Sequence, residues 1–66
     1  MKLIVNGESR QTAEATTMAT LILQEGADPG RVAVLLNDRV VPAYDRETTV
    51  LSEGDRVEML TLAGGG

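Results

Sequence analysis

The sequence predicts an α+β domain in which a mixed sheet of about five strands packs on one helix. Short β-rich segments alternate with turn dipeptides, and only one segment carries an apolar stripe at helical spacing. Size is the third observation, because 66 residues hold one modest core and bury only about 60% of the unfolded chain's surface. A deep catalytic cavity does not fit, which argues against a self-sufficient enzyme.

The first two strands are predicted at residues 1–6 and 8–13, on either side of Asn6-Gly7. Both turn residues tolerate the positive φ that a type I′ hairpin turn requires. Period-two alternation places Leu3 and Val5 on one face and Ile4 on the other. Ile4 is therefore expected to be an apolar residue on the surface.

The helix is predicted over Met18 to Glu25, directly after Thr16 and Thr17. Met18, Leu21 and Ile22 recur at helical spacing and form the stripe that packs against the sheet. Gly26 follows in the position where a helix commonly ends in the left-handed conformation. The sequence thus supplies a start, a buried face and a stop for one short helix.

A third strand is predicted over residues 31–36, where the continuous apolar run suggests that both faces are largely covered. Asn37-Asp38 is expected to turn the chain into a short partner strand at residues 39–41. That strand stops at Pro42, which cannot donate to a ladder. An irregular crossing is expected over residues 43–49, with a brief extended piece at Val50-Leu51.

The final strand is predicted from Arg56 to Leu62, after a turn at residues 52–55. Alternation points Val57 and Met59 into the core and leaves Leu60 and Leu62 on the opposite face. Outward leucines are either a docking patch or residues covered by neighbouring side chains.

This order of elements fits the β-grasp (ubiquitin-like) arrangement, a sheet curled around one helix. In that arrangement the first and last strands lie parallel at the sheet centre, so Ile4 and Leu60 are expected to be neighbours on the exposed face. We expect Ile4, Leu60 and Leu62 to contact a protein partner.

Composition excludes several functions. Tyr44 is the only aromatic residue and the net charge is −4, so base stacking and phosphate neutralisation are unexpected and no nucleic-acid partner is predicted. Absence of Cys and His removes disulfides, thiolate nucleophiles, imidazole bases and the usual zinc ligands. Glu53 and Asp55 flank Gly54, but two carboxylates are too few for a calcium site, and no metal is predicted.

The longest apolar run, Val32–Leu36, is too short to cross a bilayer, and the first residues lack the apolar core of a signal peptide. A cytoplasmic protein with no membrane partner is therefore expected. No catalytic residue is predicted, because the paired threonines of the chain have no base to activate them.

The chain ends in Ala63-Gly64-Gly65-Gly66. We predict a folded domain over residues 1–62 and a flexible tail over residues 63–66, because consecutive glycines lose much entropy if ordered. Such a segment lacks Cβ atoms, can enter a narrow channel and can present its carboxylate to another protein. The other interpretation is a frayed terminus or a cloning remnant.

Several segments together resemble the ThiS family, the ubiquitin-like sulfur carriers of thiamine biosynthesis. The likeness covers the whole chain and its length, with nothing after the glycines. It rests on these segments: Met1-Lys-Leu-Ile-Val-Asn-Gly7, the helix beginning near Thr17, Val-Ala-Val-Leu-Leu-Asn37, Val41-Pro42, Leu51-Ser-Glu-Gly-Asp-Arg-Val57 and the terminal glycines.

The resemblance implies a carrier whose Gly66 carboxylate is adenylated by a ThiF-like adenylyltransferase that uses ATP, with no cofactor bound by the carrier itself. A cysteine desulfurase or sulfurtransferase then supplies sulfur, leaving a covalent thiocarboxylate at Gly66 that passes sulfur to thiazole synthase. Gly64 and Gly65 would thread into the partners' active sites. Family members end in Gly-Gly, so Gly64 is an extra glycine here.

Two alternatives stay open at this point. Related β-grasp carriers deliver sulfur to molybdopterin, to amino acids or to siderophores, although the molybdopterin carriers tend to be longer and richer in aromatic residues. The second alternative is a non-catalytic β-grasp interaction module whose glycines have no role.

Overall fold

The computed structural model describes residues 1–62. The predicted tail at residues 63–66, with the roles expected of Gly64, Gly65 and Gly66, lies outside the described residues. Within residues 1–62 the strands and the helix are, in chain order, β1 (Lys2–Val5), β2 (Glu8–Gln11), α1 (Met18–Gln24), β3 (Val32–Leu36), β4 (Arg39–Val40) and β5 (Arg56–Thr61).

The strands form one mixed sheet in the order β2-β1-β5-β3-β4. β1 and β5 run parallel at the sheet centre, and the other neighbouring pairs are antiparallel. Parallel neighbours cannot be joined by a tight turn, so the chain between them is free to supply the helix and the outer strands. The predicted β-grasp arrangement is confirmed.

Two turns of the same kind join β1 to β2 and β3 to β4. Their central residues all have positive φ: 50° at Asn6, 81° at Gly7, 49° at Asn37 and 71° at Asp38. Positive φ at both central positions is the type I′ geometry, whose twist matches that of the flanking strands. Both turns predicted from the sequence are confirmed.

The α1 helix is capped at both ends. At its start the Thr17 hydroxyl accepts a hydrogen bond from the Thr20 amide at 3.2 Å. Amides in the first turn of a helix have no carbonyl acceptor within the helix, and the hydroxyl takes that role for Thr20. At its end Gly26 adopts a φ of 74°, and the Ala27 amide donates back to the Ile22 carbonyl at 3.1 Å. This pattern is a Schellman motif, so the predicted stop is confirmed.

The core lies between α1 and one face of the sheet. The predicted helical stripe of Met18, Leu21 and Ile22 is buried, as is Val57 on the last strand. With a single helix only one sheet face can be covered, which leaves the other face to solvent. The buried apolar residues are Leu3, Val5, Met18, Leu21, Ile22, Val32, Val34, Val41, Leu51 and Val57.

The segment between β4 and β5 contains a short 3-10 turn at Ala43–Asp45 and a buried arginine. The Arg46 guanidinium donates from Nη1 to the Pro29 carbonyl at 2.9 Å and from Nη2 to the Val32 carbonyl at 2.6 Å. These bonds connect the segment between β4 and β5 to the start of β3.

Within residues 1–62, no helix has the length and apolar character needed to cross a membrane.

Candidate functional site

The sheet face opposite α1 carries an apolar patch around Leu60. Val57 points into the core, so by alternation Leu60 points outward, and 53% of its surface is exposed. Leu60 pairs with Ala33 on β3, and Leu35 on the same face pairs with Val40 on β4. We call the following residues the outer patch: Ala33, Leu35, Val40, Leu60 and Leu62.

Leu60 and Leu62 lie where the sequence predicts them, but Ile4 does not adjoin Leu60. The parallel register places Ile4 opposite Arg56, four residues before Leu60 and about 13 Å away along the strand. The predicted adjacency is therefore wrong, because the sequence gives the strand order and not the stagger between distant strands. A role for Ile4 in docking stays a prediction.

The outer patch includes three residues that the sequence analysis missed. The prediction that both faces of β3 are largely covered is confirmed, since Val32 and Val34 are buried on the helix side and Ala33 and Leu35 are partly buried on the other face. Val40 on β4 is 70% exposed. Part of the signal was available, because alternation through residues 32–36 places Ala33 and Leu35 on one face. The pairing of β3 with β5 shows that this is the face of Leu60.

Charged residues border the outer patch at the β5 start. Arg56 Nη2 donates to Asp38 Oδ2 at 2.9 Å. The hydrogen bond to Asp38 and the charge of Asp38 raise the pKa of Arg56 above its ordinary value, so the guanidinium stays positive at any working pH. Glu58 lies opposite Leu35 and is exposed, which adds a negative charge beside the apolar side chains.

Three hydrogen bonds hold the end of β5 to its neighbours in addition to the β3–β5 ladder. On the β3 side the Leu62 amide donates to the Arg31 carbonyl at 2.7 Å. On the β1 side the Asn6 side chain contacts the backbone of Met59, accepting from its amide at 2.8 Å and donating to its carbonyl at 3.3 Å. These contacts fix the backbone at Met59 and at Leu62, the residue that follows β5.

The carboxylates on either side of Gly54, Glu53 and Asp55, accept hydrogen bonds from backbone amides. Glu53 accepts from the Lys2 amide at 3.0 Å, and Asp55 accepts from the Ser52 amide at 2.8 Å. In the part of the chain that the structure describes, no three acidic side chains converge as a metal site would require.

A cavity of about 450 Å³ lies on the helix side of the sheet and away from the outer patch. It is lined in part by Leu23 and Pro29.

Comparison with known sequences identifies a family and several relatives. The sequence model of the ThiS family matches residues 3–66. Thiazole synthases of Paramagnetospirillum magneticum and Magnetococcus marinus are 35% and 36% identical over 66 residues, all of this chain and 20% of each relative. The chain thus spans about a fifth of the length of these curated relatives. Uncharacterized protein ycf40 of Pyropia yezoensis is 32% identical over 94% of this chain and 87% of its own.

Comparison with solved structures gives matches over the whole chain. The crystal structure of a thiamine biosynthesis protein (ThiS) from Geobacter metallireducens is 33% identical, covers both chains completely and has a TM-score of 0.85. A solution structure of a thiamine biosynthesis protein from the same organism has a TM-score of 0.81 and 88% coverage of its chain.

Proposed function

The chain belongs to the ThiS family, and on this premise we propose that it is a sulfur carrier of thiamine biosynthesis that acts through a thiocarboxylate at Gly66. The observation that carries the proposal is the family match, which runs through residue 66 and so includes the terminal glycines. In this proposal the chain is a carrier, and the catalytic groups belong to its partners.

The proposed activation has two steps. A carboxylate oxygen of Gly66 attacks the α-phosphorus of ATP on a ThiF-like adenylyltransferase, which forms an acyl adenylate and releases pyrophosphate. Hydrosulfide then adds to the acyl carbon and AMP departs with its electron pair, leaving the thiocarboxylate. A persulfide from a cysteine desulfurase or sulfurtransferase gives the same product if a thiol reduces the intermediate disulfide. Activation is needed because a carboxylate is a poor acyl donor.

In this proposal the carrier supplies a tail long enough to enter a partner's active site and a surface that binds the partner. Four residues follow Leu62 and extend at most about 13–14 Å, so Gly66 enters a partner's cleft while the folded domain stays outside. Glycine side chains add no width to this segment. The outer patch includes Leu60 on β5, the strand that precedes the tail in the chain, and we propose that the patch contacts the adenylyltransferase.

Thiazole synthase is proposed as the sulfur acceptor. The two relatives of that name contain a stretch similar to this whole chain, in a polypeptide about five times as long. Those proteins therefore join a carrier-like segment to further chain, which supports thiazole formation over the other sulfur pathways.

The test is the intact mass of the chain after incubation with a ThiF-like adenylyltransferase, ATP and sulfide. We expect one oxygen to be exchanged for sulfur, with fragment masses that place the sulfur at Gly66. Omission of ATP leaves the mass unchanged, because sulfide does not displace an oxygen from an unactivated carboxylate.

A chain lacking Gly65 and Gly66 is the control, and it is expected to keep its fold and gain no sulfur. If sulfur is incorporated equally without these residues, the carrier proposal is wrong. An unchanged mass of the intact chain, with an enzyme that is active on another carrier of this family, contradicts it as well.

A further inference from the structure

We propose that Asn6 is a positioning residue of the carrier reaction, because its side-chain amide fixes the β5 backbone that carries Leu60 and precedes the tail in the chain. The inference rests on the proposed function and adds to it a residue outside both the tail and the outer patch. It follows from the way the parallel β1–β5 ladder ends.

The β1–β5 ladder proceeds regularly as far as Asn6. The Ile4 amide donates to the Asp55 carbonyl and the Asn6 amide to the Val57 carbonyl, both at 2.9 Å. In a parallel ladder the next bond joins the Met59 amide to the backbone carbonyl of residue 6. At Asn6, however, the chain enters the type I′ turn with a φ of 50°, and β1 ends.

The Asn6 side chain supplies the missing partner. Its Oδ1 accepts from the Met59 amide at 2.8 Å, and its Nδ2 donates to the Met59 carbonyl at 3.3 Å. A carboxamide has the donor and the acceptor of a peptide group, so this side chain takes the place of the backbone that has turned away. β5 is thereby held on its β1 side two residues beyond Val57.

The held peptide is next to the outer patch. The Met59 carbonyl belongs to the peptide bond with Leu60, so fixing it also fixes the direction of the Leu60 side chain. By the alternation of the β3–β5 ladder, the Thr61 amide and carbonyl point to the side that β1 has left. Asn6 is therefore the last attachment on that side before the chain continues to residue 63.

The other hairpin provides a matched control. Asn37 begins a turn of the same type, with a φ of 49°, and its Oδ1 accepts from the Arg56 amide on β5 at 2.9 Å. Its Nδ2 donates to Asp55 at 3.0 Å. Each asparagine thus makes two side-chain hydrogen bonds at β5 or its preceding turn, but Asn37 holds the start of the strand and Asn6 the end. Glycine suits positive φ at either position, so Asn6→Gly and Asn37→Gly remove the amides and keep the turns.

The experiment compares wild type, Asn6→Gly and Asn37→Gly by amide hydrogen exchange and by the kinetics of thiocarboxylate formation. Loss of one typical hydrogen bond changes the equilibrium constant for local opening by about 3- to 10-fold. We expect Asn6→Gly to speed exchange at Met59 by that factor and Asn37→Gly to speed it at Arg56 instead. We expect Asn6→Gly to raise the KM of the adenylyltransferase for the carrier about 3- to 10-fold. The kcat of that enzyme stays within about twofold, because the reacting carboxylate is unchanged.

A raised KM for Asn6→Gly beside a KM for Asn37→Gly within about twofold of wild type supports the inference, because loss of turn stability alone would affect both variants. An unchanged KM for Asn6→Gly overturns it. Equal KM increases in the two variants overturn it, as does unchanged exchange at Met59 in Asn6→Gly. If wild type itself forms no thiocarboxylate, the proposed function and the role in positioning both fail.

Discussion

Leu60 on β5 lies directly opposite Ala33 on β3, so this leucine of the outer patch has a methyl group as its cross-strand neighbour. The small partner leaves 53% of the Leu60 surface in solvent. The diagonal neighbour Leu35 and its partner Val40 continue the apolar surface towards the sheet edge. A partner that covers Leu60 would therefore also cover β3 and β4.

Leu60→Arg is expected to weaken binding of the proposed adenylyltransferase partner by about tenfold or more, because a charge placed in an apolar contact must lose its water. Isothermal titration measures the affinity. Leu23→Arg is the matched control, since Leu23 is 66% exposed on the helix, on the other side of the sheet. If both variants bind as wild type does, the outer patch is not the docking surface.

Val40→Arg tests whether the docking surface extends to β4, which carries Val40. We expect a loss of affinity in the same direction as for Leu60→Arg, with the melting temperature little changed because Val40 is exposed. Normal affinity for this variant, beside weakened affinity for Leu60→Arg, would confine the docking surface to β5.

Arg46→Met is expected to lower the free energy of unfolding by about 2–4 kcal/mol. The substitution removes the donors to the Pro29 and Val32 carbonyls, and a buried acceptor without a partner costs about 1–3 kcal/mol. Urea denaturation measures the change. Arg31→Met, at an exposed arginine with only a 3.9 Å ion pair to Asp28, is expected to stay within about 0.5 kcal/mol. Equal effects of the two substitutions would contradict a stabilising role for the buried guanidinium.

Thr17→Ala is expected to destabilise the domain by about 1 kcal/mol, since it removes the hydroxyl that accepts from the Thr20 amide at the helix start. Thermal unfolding followed by circular dichroism detects a loss of this size. Thr17→Ser keeps the oxygen and is expected to restore most of the stability. A serine variant as unstable as the alanine variant would mean that the Thr17 methyl group, and not the cap, matters.

Ile22→Val is expected to cost about 0.5–1.5 kcal/mol, because Ile22 is 1% exposed and the lost methyl group leaves a cavity in the core. Leu23→Val, one residue further along the helix and exposed, is expected to change stability by less than about 0.5 kcal/mol. Urea denaturation measures the free energy of unfolding of both variants. Equal losses of stability would contradict the burial of one face of the helix.

Local features were predictable because their causes are local. The turns at Asn6 and Asn37 need positive φ, and the helix start at Thr17 and stop at Gly26 are capping preferences. Strand ends were less well predicted: residues 1–6 and 8–13 become Lys2–Val5 and Glu8–Gln11, because pairing with a neighbour decides where a strand ends.

Long-range features could not be predicted in the same way. The stagger that separates Ile4 from Leu60 is set when two segments more than fifty residues apart are packed together. Likewise Arg46 bonds to carbonyls 17 and 14 residues away, and charged residues in a loop normally indicate solvent exposure. The outer patch required both kinds of information, alternation along β3 and the pairing of β3 with β5.

The central place of β5 has a mechanical consequence. A pull on Leu62 along the β5 axis acts parallel to β1 on one side and antiparallel to β3 on the other. Hydrogen bonds in such a ladder lie across the direction of pulling, so they share the force and do not open one after another. We therefore expect β5 to resist separation from the sheet under a force along its axis more than under a force across it.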